Sequence, residues 1–282
     1  MLKLLNGDCL EAMKALPNRS VDCFICDLPY GCLTGGGISK KETAEQYGRK
    51  GTEGISGCAW DVKLDLDALW TQIKRLAKDE HAPILMFCTT KFGYELIKSN
   101  ERWFRYDLVW DKGRGVSFLS ANKMPMRSHE MIYVFSKAGA RYERVDISGN
   151  FEPYAFKATE NAPAIYDSKG LKKRTATAND GTKRCVLSVI ATPNKTLRKS
   201  AHPTEKPQAL YDWLIRRYCP SGGTILDPTA GSFNSCFAAV AAGRKAIGIE
   251  KDAAFFEKAR LRAEGAGLLE AVNEITGAEA DE

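Results

Sequence analysis

Three short apolar runs in this chain each stop at a carboxylate, and that feature restricts the fold more than any other. Val21-Asp22-Cys23-Phe24-Ile25-Cys26 ends at Asp27, Thr224-Ile225-Leu226 ends at Asp227, and Lys245-Ala246-Ile247-Gly248-Ile249 ends at Glu250. Runs this short read as buried strands. Ala82 to Cys88, Tyr106 to Trp110 and Met131 to Phe135 have the same character. Between them apolar residues recur at helical spacing: Leu10, Met13 and Leu16; Leu66, Leu69, Trp70, Ile73, Leu76 and Ala77; Phe92 to Ile97; Leu210, Trp213, Leu214 and Tyr218 behind Pro207; and Phe233 to Ala242, closed by Gly243. Strands alternating with helices predict an α/β fold, a mainly parallel twisted sheet with helices on both faces. Such sheets keep their chemistry at strand ends, which makes the three acids the first candidates for a site.

The first acid opens Asp27-Leu28-Pro29-Tyr30. Pro29 removes a backbone donor and fixes φ, so the carbonyls of Asp27 and Leu28 are expected to turn outward as acceptors. A carboxylate, free carbonyls and an aromatic face together suit a planar group bearing an amine: the acceptors take its hydrogens while Tyr30 stacks on its ring. By itself the tetrapeptide is better described as a Pro-terminated turn with an Asp cap and a packed Tyr. A polar, glycine-bearing loop is expected from Gly31 to about Gly57, beside this site.

The second acid begins Asp227-Pro228-Thr229-Ala230-Gly231-Ser232, a turn between a strand and a helix, and Glu250 closes the next strand 23 positions later. Strand, small-residue turn, helix, strand and terminal acid form the plan of a nucleoside-binding half-fold, in which the acid bonds ribose hydroxyls. The turn has only Gly231, neither G-x-G-x-x-G nor a P-loop, which favours a nucleoside without a pyrophosphate.

Between about Ala140 and Lys199 the α/β rhythm disappears. Residues 140–206 carry 13 Lys and Arg against 7 Asp and Glu, so this stretch accounts for the whole net charge of +6. Its isolated aromatics (Tyr142, Phe151, Tyr154, Phe156, Tyr166) interleave with Lys172-Lys173-Arg174 and with Lys183, Arg184 and Arg198. Asn179-Asp180-Gly181 is a strong turn signal. Basic residues among aromatics fit nucleic acid, by phosphate neutralisation and base stacking, although a solvated lysine-rich surface has the same charge. The expected division is 1–139, an inserted basic region 140–199, and 200–282. Nine cysteines, mostly within apolar runs, are expected to be small buried hydrophobes in a reducing compartment. Cys23 and Cys26 are three apart in a strand and point to opposite faces, without a matching second pair, so no metal is expected. No stretch approaches a membrane span or a signal-peptide core, and the protein is expected in the cytoplasm.

Taken together, the motifs resemble those of S-adenosylmethionine-dependent DNA methyltransferases that modify exocyclic amines, whose signature is Asp/Asn/Ser-Pro-Pro-Tyr/Phe/Trp. The residues that carry the resemblance are Asp27-Leu28-Pro29-Tyr30, Asn6-Gly7-Asp8-Cys9, His202-Pro203-Thr204-Glu205-Lys206-Pro207 and Asp227-Pro228-Thr229-Ala230-Gly231-Ser232. Catalytic motif first, variable basic region next and cofactor motif last is the order of the β class. The resemblance implies a Rossmann-like methyltransferase fold with an inserted target-recognition region, S-adenosyl-L-methionine as cofactor and double-stranded DNA as partner. It implies a flipped-out base, adenine rather than cytosine because position 27 is aspartate. Catalysis would fall to Asp27, Leu28, Pro29 and Tyr30. The cofactor would meet Asp8 and Cys9 near its adenine, Asp227 and Gly231, with Pro228, Thr229, Ala230 and Ser232 of the same turn, along its amino-acid and ribose portion, and Glu250 at its ribose hydroxyls. Asp27 and Lys251 would also line it, and Thr204 and Lys206 would meet its methionine carboxylate or serve only as a capping segment before the helix. DNA contacts would come from Lys172, Lys173, Arg174, Lys183, Arg184 and Arg198. Leu28 stands where the signature has its first proline, and Phe233 stands where glycine is usual, which is expected to reshape the cofactor pocket. A homodimer, a cognate restriction nuclease, a cytosine amine, an RNA or protein acceptor, and a non-catalytic nucleic-acid-binding protein on the same fold stay open.

Overall fold

The computed structural model describes residues 1–31, 62–116, 118, 121–156, 177–192 and 205–274. The loop expected after Gly31 lies outside them. The chain forms two compact units, one of Met1–Glu143 with Ser188–Glu282 and one of Arg144–Leu187.

The large unit begins with β1 (Leu2–Asn6), α1 (Cys9–Lys14), β2 (Cys23–Cys26), α2 (Leu66–Leu76), β3 (Ile84–Cys88), α3 (Thr90–Ser99), β4 (Phe104–Val116) and β5 (Arg127–Phe135). The small unit holds two strand pairs: β6 (Ile147–Ser148) lies against β9 (Lys183–Arg184), and β7 (Tyr154–Phe156) against β8 (Thr177–Asn179). Its turn is built as the sequence predicts: the Asn179 carboxamide oxygen accepts the Gly181 N–H at 2.8 Å, and Gly181 has φ +84°. The chain then continues through β10 (Val189–Ala191), α4 (Gln208–Tyr218), β11 (Thr224–Asp227), α5 (Asn234–Ala241), β12 (Lys245–Glu250), α6 (Ala253–Gly265) and β13 (Leu269–Glu274).

Nine strands make one sheet in the order β10-β4-β5-β3-β2-β11-β12-β1-β13. Only β5 runs against its neighbours; every other pairing is parallel. Strand alternation divides the core into two layers. Cys23 and Ile25 of β2 join Leu85, Phe87, Leu214, Phe233 and Phe256 on one face, while Phe24 and Cys26 join Met13, Trp70, Ile73 and Phe92 on the other. Cys23 and Cys26 therefore face opposite sides, and no group of metal ligands occurs among the described residues. All seven described cysteines are free, and six of them are buried.

Capping residues fix the helix starts. Asp65 accepts from the backbone N–H groups of Asp67 (2.9 Å) and Ala68 (3.1 Å), and Asp252 does the same for Ala254 (2.8 Å) and Phe255 (3.2 Å). Trp70, buried on α2, donates its indole N–H to Ser99 at 2.8 Å and so ties α2 to α3. Three elements escape the periodicity argument. Leu2–Asn6 forms β1, although Lys3 interrupts its apolar pattern; β13 and α6 likewise follow Glu250 without a clear period. Pro207 is the N-cap of α4 rather than part of its first turn. No described helix is long and apolar enough to cross a membrane.

Candidate active site

The sheet order makes β2, β11 and β12 parallel neighbours, so Asp27, Asp227 and Glu250 gather at one edge. A direct bond joins the first two motifs: the Thr229 hydroxyl donates to the Asp27 carbonyl at 3.0 Å. This corrects the expectation that the Asp27 carbonyl is free. The carbonyl is held by the turn after β11, because β2 and β11 end side by side. The Leu28 carbonyl accepts no hydrogen bond among the described residues, and its side chain is buried.

Asp27 keeps both carboxylate oxygens engaged. Oδ1 accepts the Tyr30 hydroxyl at 3.0 Å, and Oδ2 accepts the Lys206 ammonium. The Tyr30 ring packs at a tilt on Phe92, with centroids 5.2 Å apart. Lys206 is only 4% exposed, with its Nζ over the Phe87 ring at 4.5 Å and 3.8 Å from Glu130 Oε2. Burial works to lower the Lys206 pKa, but the Asp27 and Glu130 carboxylates outweigh it and push it up, so the side chain stays charged. Glu130 in turn binds the Lys112 ammonium through Oε1. Burial works to raise the Glu130 pKa, but Lys206 and Lys112 hold it below the ordinary range. The Lys206 backbone is fixed from α5, where Asn234 donates to its carbonyl at 3.3 Å and is itself held by Arg262 at 2.7 Å.

The second half of the site is the turn 227–232. Asp227 accepts the Thr229 N–H at 3.1 Å and the Ser235 hydroxyl. Gly231 takes φ +54°, which lets its N–H reach Glu250 Oε2 at 2.7 Å. Glu250 Oε1 accepts the Asp252 N–H at 2.8 Å. Burial raises the Glu250 pKa, and the two backbone donors work the other way. Asp8 caps α1 through the Leu10 N–H (3.0 Å) and meets exposed Lys251 at 3.2 Å, while Cys9 is buried. Burial pushes the Cys9 thiol up to about 12, so it is no nucleophile at neutral pH. Pro228 and Ala230 are buried within the turn, and Ser232 is half-buried. Lys183 and Arg184 form β9 of the small unit, where the Arg184 guanidinium lies over Phe151 at 4.8 Å. Thr204, Lys172, Lys173, Arg174 and Arg198 lie outside the described residues.

Phe233 does not enter the site. It is fully buried, at φ +58°, and its ring meets Phe256 at 6.3 Å in the core beneath β12. The left-handed backbone turns the ring inward, and Gly248 makes room for it.

Burial lifts Asp227 from an ordinary value of 3.8 to about 7, although its bonds from Ser235 and Thr229 resist. The folded state therefore holds a proton that the unfolded state releases, so stability falls as pH rises from about 4 to about 7 and is level above. Asp227→Asn is expected to melt higher than the parent above about pH 7 and no higher below about pH 4, read by thermal melts across pH.

Glu130 and Lys112, with Asn234 behind them, join the Asp27–Lys206 cluster, and no motif in the sequence assigns them a role. Glu130 lies inside β5, in a polar run that reads as the approach to a strand. The antiparallel pairing of β5 with β3, Met131 opposite Cys88, is what sets Glu130 just past the end of β3 and toward the site edge.

Two acid-ended motifs on adjoining parallel strands place Asp27 and Asp227 side by side at one edge of an α/β domain. The chain belongs to the DNA methylase family, whose model matches residues 21–261. It is 24% identical to the type II methyltransferase M.HinfI of Haemophilus influenzae over 92% of this chain and 67% of that protein. It is also 24% identical to the DNA adenine methyltransferase YhdJ of Escherichia coli (strain K12), over 88% of this chain and 77% of that one. The fold is that of a solved M1.HpyAVI-SAM complex, at TM-score 0.54 and 17% identity over 93% of this chain and 98% of that one. The cytosine-N4-specific PvuII DNA methyltransferase has the same fold, at TM-score 0.58 and 14% identity over 92% and 85% of the two chains. The Rossmann-like methyltransferase fold expected from the motifs is the fold observed.

Proposed function

We propose that this DNA methylase transfers a methyl group from S-adenosyl-L-methionine to the exocyclic amine of an adenine flipped out of duplex DNA. The observation that carries the reading is the Asp27 carboxylate, flanked by Tyr30 and by the Leu28 carbonyl, which accepts no hydrogen bond among the described residues, one strand away from the turn 227–232. An exocyclic amine is a poor nucleophile because its lone pair is shared with the ring. Acceptors at Asp27 and Leu28 draw its hydrogens out of the ring plane and return the pair to nitrogen, and the Asp27 charge stabilises the cation that develops there. Tyr30 offers an aromatic ring for the base. A paired base cannot reach these groups, so it has to leave the stack.

The residues fit the donor. Glu250 ends β12 beside a turn with one positive-φ glycine and no phosphate-binding lysine, a set suited to ribose hydroxyls without a pyrophosphate. When bound, S-adenosyl-L-methionine supplies an electrophilic methyl carbon on a sulfonium. Gly231, Ser232, Glu250 and Asp8 would hold it. The target adenine accords with the aspartate at position 27 and with the names of M.HinfI's companion relative YhdJ, a DNA adenine methyltransferase. Lys183 and Arg184, with the basic residues around them, would contact phosphates from the unit Arg144–Leu187. A DNA substrate and uniformly free described cysteines accord with the cytoplasm. The reading needs neither a second copy of the chain nor a nuclease partner.

Tritiated-methyl transfer to duplex DNA followed by nucleoside analysis tests it: label in N6-methyladenine is the expected result, and label in cytosine or in no base sinks it. Glu250→Ala is expected to weaken donor binding by about tenfold or more, since a carboxylate is lost both to the ribose and to the Gly231 N–H. Calorimetric titration with the donor checks this, and an unchanged dissociation constant would remove Glu250 from the cofactor site.

A further inference from the structure

Glu130 carries a buried oxygen that accepts no hydrogen bond among the described residues, with only an ion-pair contact at 3.8 Å. Oε1 takes the Lys112 ammonium; Oε2 is shut off from solvent, accepts no hydrogen bond and faces Lys206 Nζ at 3.8 Å. A buried acceptor left in that state is costly, so its retention calls for a second state in which it is used. Lys206 supplies one. Its ammonium bonds Asp27 Oδ2 while Tyr30 takes Oδ1, which occupies the very carboxylate that a target amine has to reach. Leaving Asp27 with no alternative partner would strand a buried ammonium.

We propose that Glu130 is a positioning residue, the second berth onto which the Lys206 ammonium swings when the target amine engages Asp27. The inference rests on the reading of Asp27 given under the proposed function. The move is small: closing a gap of 3.8 Å to ordinary hydrogen-bond contact takes about 1 Å, within reach of a lysine side chain without backbone change. Asn234 keeps the Lys206 backbone in place meanwhile, and the Phe87 ring face borders the cation at 4.5 Å in its starting position. Lys206 and, after it, Lys112 favour the ionised Glu130, and the Lys112 bond to Oε1 keeps the carboxylate aimed, so the berth is charged before it is needed. Asp27 is then held in one rotamer in the resting site and released only to an amine that competes for it.

Two measurements test the berth. In steady-state methyl transfer at saturating donor, Glu130→Gln is expected to lower kcat/KM for DNA on the order of 10- to 100-fold, with calorimetric donor affinity within about twofold of the parent. Because Glu130 acts through Lys206, Glu130→Gln introduced on a Lys206→Gln background is expected to cost nothing further, whereas a purely structural Glu130 would cost as much on either background. An unchanged kcat/KM, or full additivity, overturns the proposal. A crystal structure of the parent with a duplex and the non-transferable product S-adenosylhomocysteine reads the berth even if the variants fail to fold: Lys206 Nζ on Glu130 Oε2 with the amine at Asp27 is the expected result, and Nζ still on Asp27 with the base seated overturns it. A parent that neither labels nor binds DNA instead overturns the proposed function, and the berth falls with it.

Discussion

Asp27→Ala is expected to reduce methyl transfer to DNA on the order of a thousandfold while the protein stays folded and binds donor within a few-fold of the parent. The loss follows from what the carboxylate does in the reaction, since a group that stabilises charge only in the transition state is worth two to three orders of magnitude, or about 3–4 kcal/mol. Folding is spared because the other partners remain. Thr229 bonds the backbone carbonyl of residue 27, which alanine keeps, and Lys206 still faces Glu130 at 3.8 Å. Asp27→Asn separates charge from shape: it keeps an acceptor for Tyr30 but removes the anion, and an equally deep loss would assign the effect to charge. Tritium counting on duplex DNA against thermal melts and donor titration makes the comparison. An alanine variant within threefold of the parent would detach Asp27 from the chemistry.

Gly248→Ala is expected to cost about 2–4 kcal/mol of stability, a fall of roughly 5–12 °C in Tm for a chain of this size. A Cβ at position 248 would stand 2.5 Å from the Phe233 ring and 2.7 Å from Cys236 Sγ, closer than atoms pack. Neither neighbour has room to yield. Phe233 is fully buried with its backbone in the left-handed region, and Cys236 is buried on α5. Gly248 itself is fixed between Asp227 and Leu4 in the sheet, so β12 cannot step back. Phe233→Ala on the Gly248→Ala background should recover part of the loss by vacating the space, although it leaves a void elsewhere. Differential scanning calorimetry of the single and double variants decides the matter; a single variant that melts with the parent would mean that the Phe233 ring is not seated on Gly248.

Much of the frame could be read from residue order alone. Asp27, Asp227 and Glu250 declare themselves because each terminates a short apolar run of strand length, and parallel sheets bring such ends together. Cys23 and Cys26 dissociate into opposite layers by the two-residue period of a strand. What stayed hidden depends on which strands become neighbours. Glu130 reaches the site because β5 runs against β3 and β4, a direction that no local pattern in Met126-Arg127-Ser128-His129-Glu130 announces. The bond of Lys206 to Asp27 spans 179 positions, and nothing local in the sequence announces it. Phe233 departed from the family pattern in a way that suggested the pocket, yet the sign of one dihedral angle sends the ring to the core instead. β1 is not legible in the sequence because a five-residue strand with one lysine carries too little period to register.

The neighbours of β2 have a consequence for synthesis. β2 is flanked by β3 on one side and β11 on the other, and β11 begins at Thr224. While the ribosome is still making the intervening two hundred residues, one margin of β2 has no partner and is open to pairing with other nascent chains. The Asp27 carbonyl likewise waits for the Thr229 hydroxyl. A translation product arrested before that point would be both adhesive and chemically mute, so the capacity to mark DNA arrives late and all at once.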